Sequence, residues 1–218
     1  NEAVPRGRIL DRNGKVLVDN ASKKAITYAR GRKTSQTEVL KIAKDLSELI
    51  KMDTDKITDR DKQDYWLQLH PNKARTLMQS EQALLDDGSI SQDDYDEALY
   101  KKIGKKQINT LSDKDLQVLA IYREMMSGSA LDPQMIKNED VTDEEYAAVS
   151  QKLSDLPGVN TTMDWDRKYP NGDTLRGIFG DVSTTEEGIP KELTEQYLAK
   201  GYSRNDRVGK SYLEYQYD

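Results

Sequence analysis

The hydrophobic period of this chain changes twice, and that change limits what the chain can fold into. Runs of strand-forming residues lie near both ends, at 5–20 and 159–169, and a long polar stretch with helical spacing separates them. A strand must find hydrogen-bond partners for its backbone outside itself. Joining the two ends in one sheet satisfies both and leaves the middle as an insertion. The expected fold class is therefore α+β: an antiparallel sheet-based lobe from residues 1–36 and 156–218, with a helical lobe, residues 37–155, inserted into it.

The first run is short. Ile9-Leu10 and Val16-Leu17-Val18 flank Asp11-Arg12-Asn13-Gly14. Asn13-Gly14 between apolar runs signals a hairpin, because a type I′ turn needs positive φ at both central residues and these types tolerate it. Ala25-Ile26-Thr27-Tyr28-Ala29 reads as a third short strand. Arg6, Arg8 and Arg12 gather beside Asp11 around the turn, where their charge is available to a partner surface.

From Ser35 the spacing becomes helical. Ser35 and Glu38 form a capping-box pattern, and Val39, Ile42, Ala43, Leu46, Leu49 and Ile50 make one stripe, so a helix is expected over 37–50. From 51 to about 155 the chain reads as helical and very polar. Helices are expected from Lys73 to Asp86 with Gly88 at the end, from Ser91 past Leu99, from Thr110 or Ser112 through Met126, and from Thr142 past Val149. Each carries only a few large apolar residues, as befits a small lobe. At Leu156-Pro157-Gly158 the period reverts. Val159 to Tyr169 suits a strand, Tyr169 to Asp173 a turn, Thr174 to Val182 a short helix or strand, and Pro190 to Ala199 a short helix.

Composition agrees with exposed, small-cored lobes: 35% of residues are hydrophobic and 33% charged. The net charge of −6 disfavours binding to nucleic acid. With no cysteine, disulfides and thiolate metal sites are excluded. No apolar run is long enough for a membrane span, so any anchor is expected to precede Asn1.

Catalytic patterns fail one by one. His70 is the single histidine, and a surface or capping role suits it beside Pro71. Gly209-Lys210-Ser211 resembles the end of a phosphate-binding loop, but Arg204 stands where that loop needs glycine. Asp86-Asp87-Gly88 lacks the acid that a calcium loop requires at Ala83. A carboxylate pair of the kind glycan hydrolases use stays open, since spacing does not choose among 39 acids. So does a helical adaptor in which residues 72–103 form an oligomerisation hairpin.

Three motifs then point one way. Arg6-Gly7-Arg8-Ile9-Leu10-Asp11-Arg12-Asn13-Gly14 resembles the opening motif of class B penicillin-binding proteins, Arg-Gly, three residues, then Asp-Arg-Asn/Ser-Gly. Arg167-Lys168-Tyr169-Pro170-Asn171-Gly172 is similar to that family's Arg-x-Tyr-Pro-x-Gly. Gly209-Lys210-Ser211-Tyr212-Leu213-Glu214 is similar to its Gly-x-Ser-Gly-Leu-Glu, with Tyr212 in place of a glycine, the residue that takes positive φ freely. The acidic helical middle most resembles the 2B type of Gram-positive cocci and related firmicutes.

The resemblance implies a non-catalytic pedestal, or dimerisation, region. The family's enzymes acylate a serine in Ser-x-x-Lys, with Ser-x-Asn and Lys-Thr/Ser-Gly completing the site. No serine of this chain has lysine three residues on, neither lysine triplet occurs, and Ser203-Arg204-Asn205 stands alone. No catalytic activity, cofactor or metal is therefore expected of the chain itself. The implied partners are its own transpeptidase domain, a SEDS-family glycosyltransferase and other elongation or division proteins. Homodimerisation is left open. The implied place is the extracytoplasmic face of the bacterial membrane, the chain itself being soluble. Arg6, Asp11, Arg12, Arg167 and Glu214 are expected to form charge-assisted contacts near the join with the catalytic domain.

Overall fold

One long strand organises the sheet. In this computed structural model, which describes residues 5–128, 130, 133–172, 175–185 and 187–218, β2 runs over Val16–Tyr28. It therefore absorbs Ala25 to Tyr28, which the sequence presents as a separate strand. Four strands make one sheet: β1 (Ile9–Leu10), β2, β3 (Gln134–Lys137) and β4 (Val159–Lys168), in the order β1-β2-β3 with β4 also paired to β2. β1 and β2 are antiparallel, with Ile9 opposite Val18 and Leu10 opposite Val16 and an irregularity between the pairs.

The hairpin turn is not the expected type I′. Gly14 has φ of 80° whereas Asn13 keeps a negative φ. Asp11 explains this. Its carboxylate accepts the backbone N–H groups of Asn13 at 2.8 Å and Lys15 at 2.9 Å, and its carbonyl accepts that of Gly14 at 3.0 Å. A side-chain turn of this kind holds Asn13 in the ordinary right-handed range and leaves only Gly14 to take the left-handed one.

The chain divides into two compact units. The first comprises residues 1–27, 137–146 and 161–218; the second comprises 28–136 and 147–160. The division thus falls at 27/28 and 160/161, with 137–146 in the first unit, whereas the sequence reading placed its boundaries at 36/37 and 155/156.

The second unit is built on helices α1 (Gln36–Leu46), α2 (Asp59–Leu69), α3 (Pro71–Leu77), α4 (Gln79–Asp86), α5 (Gln92–Lys102), α6 (Lys105–Ile108) and α7 (Asp113–Met126). Capping boxes start four of them, from Ser35, Thr58, Ser91 and Ser112. α1 packs on α7 through Val39, Ile42, Ala43 and Leu46, all buried. It stops four residues short of the expected end. Leu49 N–H turns back to the Leu46 carbonyl at 2.9 Å, a tighter turn that buries Ile50. The helix expected from Lys73 to Asp86 is two, α3 and α4, broken at Met78, which leaves helical dihedrals and buries its side chain. Trp66, Ile103 and Ile108 form a core cluster, with Ala74, Leu77 and Leu99 packed against it. Ala74, Leu77, Leu99 and Ile103 of 72–103 therefore serve this core, and the oligomerisation-hairpin reading is unsupported. β3 also corrects the expectation that 51–155 is helical throughout; four residues are too few to show a period.

In the first unit, Val18, Ala25, Ile26 and Trp165 are buried from the strands, and Ile189, Tyr197 and Val208 form a further apolar cluster. α8 (Asp143–Gln151) begins in this unit. Beyond β4 the chain is mostly short helices, where the sequence reading has a β-rich end: α9 (Arg176–Phe179), a 3-10 turn (Lys191–Leu193), α10 (Thr194–Ala199) and α11 (Tyr212–Gln216). One isolated bridge, Val182 with Gly209, is the strand pairing described there. Asp173 and Thr174, at the turn expected after Tyr169, lie outside the described residues. Among the described residues no helix is long and apolar enough to cross a membrane.

Candidate functional site

Three of the five charged residues expected to meet do so, all in the first unit. Glu214 sits on α11 with its side chain almost wholly buried. Arg6, just before β1, places Nε 2.6 Å from Glu214 Oε2 and donates through Nη2 to the Glu214 carbonyl. Arg167, near the end of β4, donates through Nη2 to the same Oε2 at 2.9 Å. Its Nε lies 2.9 Å from Oε1 without the alignment of a hydrogen bond. Arg6 also pairs with Asp218, so two guanidiniums face two carboxylates. Burial works against the Arg6 charge, yet Asp218 and Glu214 together raise its pKa above the usual arginine value.

The backbone is drawn into this cluster. Arg167 Nη1 donates to the Gly7 carbonyl at 2.8 Å and to Asn20 Oδ1 at 3.1 Å, and Asn20 Nδ2 donates to the Arg6 carbonyl at 2.6 Å. The N-terminal segment, the end of β4 and α11 are thereby fastened to one another. Charge-assisted contacts of this kind are stronger than neutral ones.

The third motif supplies the close approach. A Cβ on Gly209 would lie 1.9 Å from the Glu214 carbonyl oxygen, and one on Gly180 would lie 2.1 Å from that of Ser211. Only glycine admits both contacts. Ser211 Oγ accepts the Asp181 N–H at 3.0 Å. Tyr212 has φ of 48°, so the left-handed backbone of the glycine pattern is kept although the residue is tyrosine. Leu213 is half-buried beside Glu214. In the second motif Tyr169 stacks on Phe179, ring centroids 6.2 Å apart, and its carbonyl accepts the Gly172 N–H at 3.0 Å across Pro170.

Asp11 and Arg12 do not join. Asp11 is occupied by its own turn, with Asn13 and Gly14. Arg12 is exposed and has no ion pair among the described residues. Arg8 pairs with Asp19 in the open.

A second buried cluster lies in none of the three motifs. Asp164 on β4 is 2% exposed. It accepts from Asn138 Nδ2 at 3.1 Å, with Arg207 Nη1 3.6 Å and Lys23 Nζ 3.9 Å away. Arg207 lies over the Trp165 indole, 4.0 Å from its centroid, and donates through Nε to the Ser183 carbonyl at 2.9 Å. Its only precursor in the sequence is β4's odd run of acids, Asp164 and Asp166, beside an aromatic residue.

In both clusters the buried carboxylates face cations: Glu214 meets Arg6 and Arg167, and Asp164 lies near Arg207 and Lys23. Among the described residues no group of histidine and acidic side chains is arranged to hold a metal. What the geometry does is fasten distant segments together.

Comparison with known proteins agrees. Residues 1–218 match the penicillin-binding protein dimerisation domain. The chain belongs to this family. Penicillin-binding protein 2A of Bacillus subtilis is 53% identical over the whole chain, which covers 31% of that protein. The solved penicillin-binding protein 2B of Streptococcus pneumoniae (strain 5204) superposes with a TM-score of 0.70 at 29% identity, covering 99% of this chain and 33% of that one. A Helicobacter pylori penicillin-binding protein, PBP2, solved as a complex with MreC, shares the fold at a TM-score of 0.50 and 14% identity, covering 99% of this chain and 28% of that one. The chain thus spans about a third of the length of the curated relatives it matches. The dimerisation domain is the non-catalytic region of a transpeptidase family, and the hydrolase and adaptor readings have no support.

Proposed function

We propose that this chain is the pedestal of a membrane-anchored peptidoglycan D,D-transpeptidase, and that it positions a penicillin-binding domain on the face formed by α9 and α11. One observation carries the reading. α9 and α11 pack together next to the buried Arg6–Glu214–Arg167 clamp and leave Leu175, Ile178, Tyr212 and Tyr215 exposed. A soluble monomer rarely shows so many large apolar side chains together. The clamp holds that face rigid, and Gly209, Ser211 and Leu213 set the path of the backbone through it. Tyr169, stacked on Phe179 of α9, supports the face, and Pro170 and Gly172 shape the turn beyond it.

The same protein stands at the extracytoplasmic face of the cell membrane and works with a SEDS-family glycosyltransferase and with other proteins of elongation or division. The Helicobacter pylori PBP2–MreC complex is a precedent for a protein partner of this fold. A homodimer is a further arrangement open to the pedestal.

The test is acylation by a fluorescent penicillin. The isolated chain should take no label, and the full-length protein should. Ile178→Asp with Tyr215→Asp in the full-length protein should preserve labelling at low temperature and lower the melting temperature of the penicillin-binding domain. Labelling of the isolated chain, or a melting temperature unmoved by the pair, would overturn the proposal.

A further inference from the structure

The second unit contains an apolar groove of about 460 Å³, lined by Trp66, Asn72, Lys73, Thr76, Leu77 and Gln107. Its chemistry departs from that of the rest of the chain. The sequence has 39 acids in 218 residues, yet no acid lines this groove. It is built from two of the three longest acid-free stretches, Tyr65 to Ser80 and Ala98 to Ser112. The other long stretch, Asn20 to Thr37, contributes nothing to it. Within the two groove-forming stretches stand Lys73, which lines the groove, and Lys105 and Lys106, which precede Gln107 on α6. All three are exposed, and none has an ion pair among the described residues. In contrast, Lys101 and Lys102 nearby are paired with Glu97 and Glu81.

The groove wall has the makings of an anchor site. Trp66 is buried in the core cluster, and His70 meets its ring edge-on at 4.9 Å between centroids. Asn72, Lys73, Thr76 and Leu77 share one face of α3, at helical spacing. An indole and a leucine edge accept a large apolar side chain, and Lys73 in the lining, with Lys105 and Lys106 just before Gln107 on α6, favours carboxylates around it. We propose that this groove binds an acidic segment of a partner protein, seated by an aromatic or branched aliphatic anchor against Trp66 and Leu77. The site is independent of the α9–α11 face and stands or falls apart from it.

A random twelve-residue peptide display library, selected on the 218-residue chain, tests this. The enriched peptides should be net acidic with one large apolar residue, and their binding should weaken as salt rises. Lys73→Glu, which changes charge alone, and Thr76→Arg, which fills the groove while adding positive charge, should each reduce their affinity by about tenfold or more. Both positions are exposed, and circular dichroism checks that the helices persist. Four outcomes would overturn the proposal: no enrichment, enrichment without acidic bias, retained affinity in both variants, or self-association of the chain that Lys73→Glu abolishes. The last would place a second copy of the chain in the groove.

Discussion

In the helical unit, Ser35, Thr58, Ser91 and Ser112 each bind the residue three positions on, and Lys41–Asp45, Arg60–Asp64 and Lys101–Glu97 join neighbours one turn apart. In the sheet unit, Arg6 reaches Glu214 across 208 positions, and Arg207 reaches the Trp165 carbonyl across 42. The first set is exposed and the second buried. Exposed pairs are each worth under about 1 kcal/mol, and their loss is local. A buried charge has no such tolerance, because removing its partner strands it away from water. The helical unit is thus held by many small, replaceable contacts and its own caps. The sheet unit depends on a few contacts that must all form together.

The largest effect expected follows directly. Glu214→Gln leaves Arg6 and Arg167 facing each other with one buried carboxylate fewer, and should cost about 3–5 kcal/mol in urea denaturation. Hydrogen exchange should quicken in residues 5–10 and in α11 while α1 and α7 keep their protection. A loss below about 1 kcal/mol would put this cluster on the same footing as the exposed pairs and remove the contrast between the units.

Ser112→Ala is the matching change in the helical unit. Ser112 Oγ accepts the Asp115 N–H at 3.2 Å, and the Asp115 carboxylate accepts the Ser112 N–H at 2.9 Å. Losing the cap should cost about 1 kcal/mol, with faster exchange confined to the first turn of α7. Protection lost as far as α1 would mean that the helical unit is as interdependent as the sheet unit.

Tyr212→Gly acts in the opposite direction. The left-handed backbone costs a non-glycine residue about 1–2 kcal/mol, of which glycine's greater freedom when unfolded takes back part. Tyr212 is 68% exposed and so has little packing to lose. A net gain of about 0.5–1 kcal/mol is expected in the isolated chain. No gain would mean that the ring contributes packing energy of its own.

The two units also differ in how much of them the sequence discloses. Ser35 with Glu38 and Ser91 with Asp94 announce helix starts, because the capping box lies within four residues. Helix breaks are harder: nothing near Met78 separates α3 from α4, since the break depends on where that side chain is buried. Helices as short as α9 and α11, at four and five residues, contain too few turns to show a period. The clamp is a long-range matter. Arg6, Arg167 and Glu214 could be named together only because each lies in a motif of a known family, and the same motifs also suggested Arg12, which stays apart. The Asp164–Arg207 cluster lies in no such motif, and with 33 basic and 39 acidic residues the sequence does not say which of them meet.

The smallest effect concerns acid. Glu38 accepts the Ser35 backbone N–H and hydroxyl, and Asp94 is held by the Ser91 hydroxyl and backbone, so both pKa values lie below their ordinary 4.5 and 3.8. A carboxyl whose folded pKa is depressed stabilises the fold above its unfolded value, and that contribution disappears as pH falls through the folded value. Both groups are fully exposed, so the consequence is fraying at helix ends and not unfolding of the unit. Between pH 5 and pH 3, exchange at the first turns of α1 and α5, corrected for its intrinsic pH dependence, should rise. Ser35→Ala with Ser91→Ala should make those turns fray already at pH 5 and leave little further change on acidification. If the variant keeps the full pH response, the carboxylates act on the helix through the dipole alone, and the caps that distinguish this unit contribute less than its packing of α1 on α7.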